Sequence, residues 1–132
     1  MPDVQLRTRG CPQFVDYVER GITSGPEIQR VARGYLRPLQ EAGIDTLILG
    51  CTHYPLLIGV ISYVMGDDVT LVSSSDACAR AVYRQLTDRA MVNDQPDVGS
   101  RTFLTTGQPA DFRSIGERLM GRGFIESVGQ FL

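Results

Sequence analysis

Cys51 and His53 stand two residues apart at the end of an apolar run, Asp45-Thr-Leu-Ile-Leu-Gly-Cys-Thr-His-Tyr-Pro-Leu-Leu57. A thiol acts as a base toward carbon acids when its thiolate is accessible. A helix N-terminus or a nearby cation draws its pKa from about 8.5 toward roughly 3.5–7.5. His53, the only histidine of the chain, is placed to hydrogen-bond that thiol or exchange a proton with it. Thr46 to Leu49 read as a short buried strand, and Gly50 gives the backbone freedom for a sharp exit. Pro55 fits the first turn of a helix from Pro55 to Met65, where its missing N–H would be unpaired anyway, and it biases Tyr54 away from helical angles. Cys51, Thr52 and His53 therefore fall in a strand-to-helix turn. In a parallel α/β sheet such turns lie at the carboxyl ends of the strands, where ligands bind, and the following helix offers a positive dipole end to anions.

Other chemistries fit these residues less well. A nucleophilic cysteine hydrolase takes its thiol and imidazole from separate elements, whereas one turn carries both here. One histidine and three scattered cysteines supply no CxxC-like pair or histidine cluster for a metal. A buried structural thiol and a structural histidine stay open as the plain alternatives. Cys78, near the Val82 and Leu86 side of its helix, reads as core. Cys11, just before Pro12, reads as packing or loop structure at a helix entrance. Arg30, Arg33 and Arg37 fall near one helix face and read as solvated.

The elements that must position the turn follow from periodicity. Val4 to Leu6 suggest a short strand. Pro12 starts a helix with Phe14, Val15 and Val18 on its apolar face, and Gly21 stops it. Ser24 is a good N-cap for a stronger helix in which Ile28, Val31, Ala32, Tyr35, Leu36, Leu39 and Ala42 recur up to Gly43. Pro38 inside it predicts a kink or a split. After the turn, Leu57, Val60, Ile61 and Val64 share a helix face, and Gly66-Asp67-Asp68 breaks it. Val69 to Val72 form a second strand, and Ser73-Ser-Ser-Asp76 caps a helix carrying Ala79, Val82 and Leu86. Residues 90–100 are the expected loop. A strand at Thr102 to Thr105, a turn at Gly107 to Pro109 and a helix with Phe112, Ile115 and Leu119 come next, and residues 124–132 are apolar enough to need cover. The alternation predicts an α/β fold, a mainly parallel sheet flanked by helices.

Composition bounds the function. At 132 residues, with 42% hydrophobic and 21% charged positions, the chain is of one-domain size and ordinary globular character. A net charge of −2 gives no electrostatic case for nucleic acid or for an anionic membrane. All 13 basic residues are arginine, so neither a Schiff-base lysine for pyridoxal phosphate nor a phosphate-loop lysine exists. Three cysteines without framework spacing read as reduced thiols. No apolar run approaches the roughly 18 residues of a membrane span, and the first residues lack a signal-peptide pattern, so the expected location is cytoplasmic.

Gly50-Cys-Thr-His-Tyr-Pro-Leu-Leu57 resembles the motif of glutamate racemase, the cofactor-independent isomerase that supplies D-glutamate for bacterial peptidoglycan. The resemblance extends to Gly10-Cys-Pro-Gln-Phe-Val-Asp-Tyr-Val-Glu-Arg-Gly21, to Leu71-Val-Ser-Ser74 and to Phe103-Leu-Thr-Thr-Gly107. It implies two cysteines on opposite faces of the glutamate α-carbon, one removing the α-proton while the other delivers a proton, with neither pyridoxal phosphate nor metal. By the family's pattern Cys51 is one proton donor and acceptor, Thr52 and His53 help bind glutamate, His53 also tunes the thiol, and Glu19 supports His53. The family's Asp-Ser-Gly segment and the Asn-Thr motif with the second cysteine have no counterpart here, and Cys11 aligns with a cysteine to which the family assigns no proton transfer. The chain thus resembles the carboxyl-terminal half, a partial version of a two-domain racemase fold. Residues 1–73 would belong to the lobe with the Cys-Thr-His turn, and residues 74–132 would complete the other.

These implications set the expected partners: glutamate as substrate, and a second copy or an amino-terminal half to supply the other base. An inactive remnant or binding module is the alternative from another class. An aspartate or hydantoin racemase fragment is a third, against which the His-Tyr-Pro-Leu-Leu continuation argues.

Overall fold

Helix α1 (Pro12–Glu19) and helix α2 (Pro26–Glu41) end by the same device. In α1 the Gly21 N–H bonds to Val18 O and the Ile22 N–H to Tyr17 O, both at 2.8 Å. In α2 the Gly43 N–H bonds to Gln40 O at 2.9 Å and the Ile44 N–H to Leu39 O at 3.4 Å. This pairing needs a left-handed residue just past the helix, and Gly21 (φ 73°) and Gly43 (φ 65°) provide it without a Cβ penalty. Ile22 and Ile44 then fold back onto the core.

The computed structural model describes residues 3–96 and 99–131. Residues 1 and 2 of the first stretch, 97 and 98 of the expected loop, and 132 of the apolar end lie outside the described residues. After α2 the order is β1 (Thr46–Leu49), a 3₁₀ turn (Tyr54–Leu57), α3 (Ile58–Met65), β2 (Thr70–Ser73), α4 (Ser74–Asp88), β3 (Thr102–Thr105), α5 (Pro109–Met120) and β4 (Ser127–Gln130). The fold is α/β, as expected, but the strands form two separate parallel pairs, β1 with β2 and β3 with β4. The first pair runs in register from Thr46 opposite Thr70 to Leu49 opposite Ser73.

One core serves the first pair. Phe14, Ile28, Leu57, Ile61 and Val18 are its largest fully buried side chains, joined by Ala32, Leu36, Leu39 and Leu49. Leu49 comes from β1 and the others from α1, α2, the 3₁₀ turn and α3, packed on one side of the sheet. The opposite side is bare: Ile48 is 65% and Val72 37% exposed. The second pair packs with α5 through Phe103, Phe112 and Phe124, and Leu119 of α5 reaches the first core.

Several expectations need correction. Val4 to Leu6 form no strand; the segment has no regular secondary structure, and Leu6 is 76% exposed. Gly25, not Ser24, is the N-cap of α2, and no side chain caps that end. Pro38 does not split α2, because it sits on the exposed face of the last turns, where one lost bond is outweighed by Leu36 and Leu39 in the core. Cys78 is exposed rather than core, and α4 buries no residue. The apolar face of Ala79 and Val82 has no covering element among the described residues. Ser73 does cap α4, its Oγ accepting from the Asp76 N–H at 3.3 Å.

Candidate active site

β1 and β2 end side by side, so the Cys51 turn and the capped start of α4 leave the sheet from the same edge. That edge is the carboxyl end of a parallel pair, where ligand sites of open α/β sheets lie. Cys51 is half-buried, Thr52 exposed and His53 half-buried. Leu49, fully packed on the helical side, anchors the strand immediately before them.

The exit from the strand is tighter than the sequence suggests. Tyr54 and Pro55 open a 3₁₀ turn over Tyr54–Leu57, with His53 at its N-cap, and the α-helix starts only at Ile58. Tyr54 is thus drawn into a helical turn despite the proline after it. The dipole effect of an α-helix fades beyond its first turn, so α3 is too remote to act on Cys51 as the expected Pro55–Met65 helix would have done.

His53 is engaged by residues other than the thiol. Its Nε2 lies 3.5 Å from Glu19 Oε1, and its Nδ1 lies 3.4 Å from Thr52 Oγ1. Among the described residues no hydrogen bond joins His53 to Cys51. The contacts agree with an imidazole that presents Nε2–H to the Glu19 carboxylate and accepts from the Thr52 hydroxyl at Nδ1, a tautomer assigned from the network. Glu19, Thr52 and His53 lie together across the gap between α1 and the 3₁₀ turn. Cys51 stands beside this cluster without a bond to it.

Tyr54 is the site residue that sequence reading missed. Its hydroxyl accepts the Cys11 N–H at 3.1 Å, and its ring meets the Phe14 ring edge to face at 5.5 Å. Burial pushes the Tyr54 phenol up from its ordinary range, against the pull of the Cys11 N–H, so it stays a neutral phenol. The bond ties the entrance of α1 to the turn that carries Cys51. Its only advance signal is that Tyr54 and Cys11 each fall in one of the two longer motifs.

Cys11 itself is inert in this setting. Its Sγ is buried and lies 3.7 Å from Arg9 O, and burial pushes its thiol up despite the Arg9 charge. In the folded chain, iodoacetamide followed by peptide mass spectrometry is expected to label Cys51 and Cys78 at least about tenfold faster than Cys11. Equal labelling of all three thiols would contradict the buried placement of Cys11.

A groove of about 1080 Å³ runs along the unpaired side of β1. Residues 3–11 form one wall and residues 42–51 the other, with Phe14, Leu36, Leu39 and Ile61 between them, and Cys51 and Tyr54 stand at its end.

No protein-family model matches the chain. It is 52% identical over 120 residues to a glutamate racemase of Corynebacterium diphtheriae, a match covering 91% of this chain and 45% of the relative. It is 50% identical over 121 residues to a glutamate racemase of Mycobacterium ulcerans, covering 90% and 44%. Among solved structures, a glutamate racemase from Bacillus anthracis superposes with a TM-score of 0.82 at 34% identity, over 94% of this chain and 46% of that one. A glutamate racemase from Francisella tularensis in complex with D-glutamate gives 0.83 at 29% identity, over 99% and 48%. The chain spans less than half the length of these relatives, and it is their amino-terminal half that stays unmatched.

Proposed function

We propose that this chain, which corresponds to the carboxyl-terminal half of glutamate racemases, interconverts L- and D-glutamate when an amino-terminal half completes its site. The observation that carries the reading is the placement of Cys51 at the carboxyl end of β1, in a chain about half identical to proteins of that name. In the proposed reaction the Cys51 thiolate takes the α-proton from one face of glutamate, and a thiol outside this chain gives its proton to the other face. One C–H bond breaks, one forms, and the two sulfurs exchange protonation states, so configuration inverts with no other reactant. Thr52 and His53 bind the substrate, and Glu19 holds the His53 ring. D-glutamate is the ligand of the Francisella tularensis relative, which supports glutamate as the substrate here.

The same reading assigns residues 1–73 to the lobe bearing the Cys-Thr-His turn and residues 74–132 to completion of the other lobe. The two separate strand pairs agree with that division. A cytoplasmic role in supplying D-glutamate for peptidoglycan follows from the proposed activity; no helix among the described residues is long and apolar enough to cross a membrane. A binding module without turnover is the second reading, favoured by the single candidate base that stands at the turn.

The test is proton NMR with L- or D-glutamate in deuterated water, alongside optical rotation, using this chain co-expressed with an amino-terminal racemase half. Loss of the α-proton signal with inversion is expected. A folded complex that binds glutamate and leaves its α-proton untouched would establish the binding reading instead.

A further inference from the structure

The last turn of α5 meets the end of α1. Leu119 packs against the first core, and Arg118 beside it donates from Nη1 to Arg20 O at 3.4 Å, a bond between residues 98 apart in sequence. Its Nε donates to Ser114 O, one turn back in α5, at 3.2 Å, so the guanidinium is held from both helices. The carbonyl it reaches would otherwise be open. The Gly21 and Ile22 N–H groups take Val18 O and Tyr17 O, and the Arg20 N–H takes Asp16 O. Arg20 O, at the C-cap, is left among the unpaired carbonyls of a helix end, which attract a cation. Gly21 lets the arginine come this close, since a Cβ there would meet Arg118 Cδ at 3.3 Å and Nε at 3.4 Å. The side chain of Arg20 itself does not compete for the place: its guanidinium lies over the Tyr17 ring, 5.4 Å from the centroid.

Glu19, the last residue of α1, stands immediately before this bonded carbonyl, and its Oε1 is 3.5 Å from His53 Nε2. The Glu19 side chain is more than half exposed, so packing does not hold it, and the backbone at the end of α1 sets where the carboxylate falls. We infer that Arg118 is a positioning residue for His53: by fixing the Arg20 carbonyl it holds the last turn of α1, and with it the Glu19 carboxylate, against the imidazole. Residues of α5 thereby act on the candidate site from outside it. Withdrawal of α5 from α1 frees the last turn of α1, then Glu19, then the His53 ring. That His53 binds glutamate rests on the proposed racemase function; the link from Arg118 to His53 does not depend on it.

The test is nitrogen-15 NMR of the full chain at alkaline pH, where the neutral ring of its single histidine gives one pair of ring-nitrogen signals. In the parent the two are expected well apart, because Glu19 keeps the proton on Nε2. In Arg118→Ala they are expected to draw together, in the direction that Glu19→Ala moves them. The Gly21 and Ile22 amides are expected to exchange with deuterium about two- to fivefold faster, the worth of a cation at a helix C-terminus. Arg113→Ala removes a comparable bond, to Glu126 O within the β3–β4 unit, and is expected to leave both readouts unchanged. Arg118 is exposed, so its loss spares the fold; Arg118→Lys, which keeps a charged donor, is expected to restore part of the separation. Ring signals that stay in place in Arg118→Ala would overturn the inference even if the amides exchanged faster, since the arginine would then cap α1 without placing His53. Equal movement in Arg113→Ala would overturn it too. A His53 signature that follows Arg118 in a protein without α-proton exchange would leave the inference standing and sink the proposed activity; exchange by a protein whose signature ignores Arg118 would do the reverse.

Discussion

Cys51→Ala is expected to eliminate α-proton exchange at glutamate in the assembled protein, with a rate loss of at least roughly 10²–10⁴-fold, the usual worth of a positioned acid or base. The argument is geometric. Cys51 is the half-buried thiol at the carboxyl end of a parallel strand, flanked by Thr52 and His53. Cys78 lies exposed on α4 and Cys11 is sealed under the α1 entrance. Cys78→Ala is therefore expected to leave exchange unchanged, which separates loss of the base from general damage. Deuterium incorporation in the Cys51 variant at the unsubstituted rate would remove Cys51 from the reaction. Because alanine and cysteine are close in size and the Cys51 side chain makes no hydrogen bond among the described residues, folding is not expected to change, and circular dichroism checks this.

Phe14→Ala is expected to cost about 3–5 kcal/mol of stability, the range for deleting a large aromatic from a packed core. Phe14 is 1% exposed and meets Tyr35 and Tyr54 edge to face at 5.4 and 5.5 Å. Against a total of about 5–15 kcal/mol for an ordinary domain, this is enough to unfold much of the population. The damage reaches the site as well, since Tyr54 loses the ring that sets its orientation toward the Cys11 N–H. Urea denaturation followed by tyrosine fluorescence measures the effect, the chain having no tryptophan. Val82→Ala, on the uncovered face of α4, is the matched control and is expected to stay within about 0.5 kcal/mol. A Phe14 variant that melted with the parent would show that the first core does not depend on this ring.

The helices of the first half were legible because their apolar spacing is regular and their stops are glycines in positions that need them. Ile28, Ala32, Leu36 and Leu39 are all buried as read, and Leu57, Val60, Ile61 and Val64 likewise. β3 was read with its observed bounds, Thr102–Thr105. What the periodicity could not convey is which apolar faces find a partner. Cys78, Ala79 and Val82 carry a core-like pattern, yet nothing among the described residues packs on them. Val4 to Leu6 have strand composition, but a strand exists only through a neighbour, and among the described residues β1 pairs with β2 alone. β4 was missed for the converse reason: Ser127-Val-Gly-Gln130 has weak strand composition and owes its state to pairing with β3. In the site, residue identity pointed to Cys51 and His53 and the family resemblance added Thr52 and Glu19, whereas the partners of the His53 ring and the placement of Tyr54 depend on α1 meeting the 3₁₀ turn, a contact between distant stretches of chain.

Each sheet joins two strands with a single helical crossover between them, and α4 links the sheets without burying a side chain. This arrangement sets an order of events on the ribosome. Residues 11–73 contain every fully buried residue of the first core, and α5 later adds only Leu119 at its edge, so the unit bearing Cys51 can close while α5 is still untranslated, and the short loops to be closed favour speed. The helix that follows asks nothing of it. The thiol turn is therefore in place before the last third of the chain emerges, and a premature stop or cleavage within α4 would spare that turn.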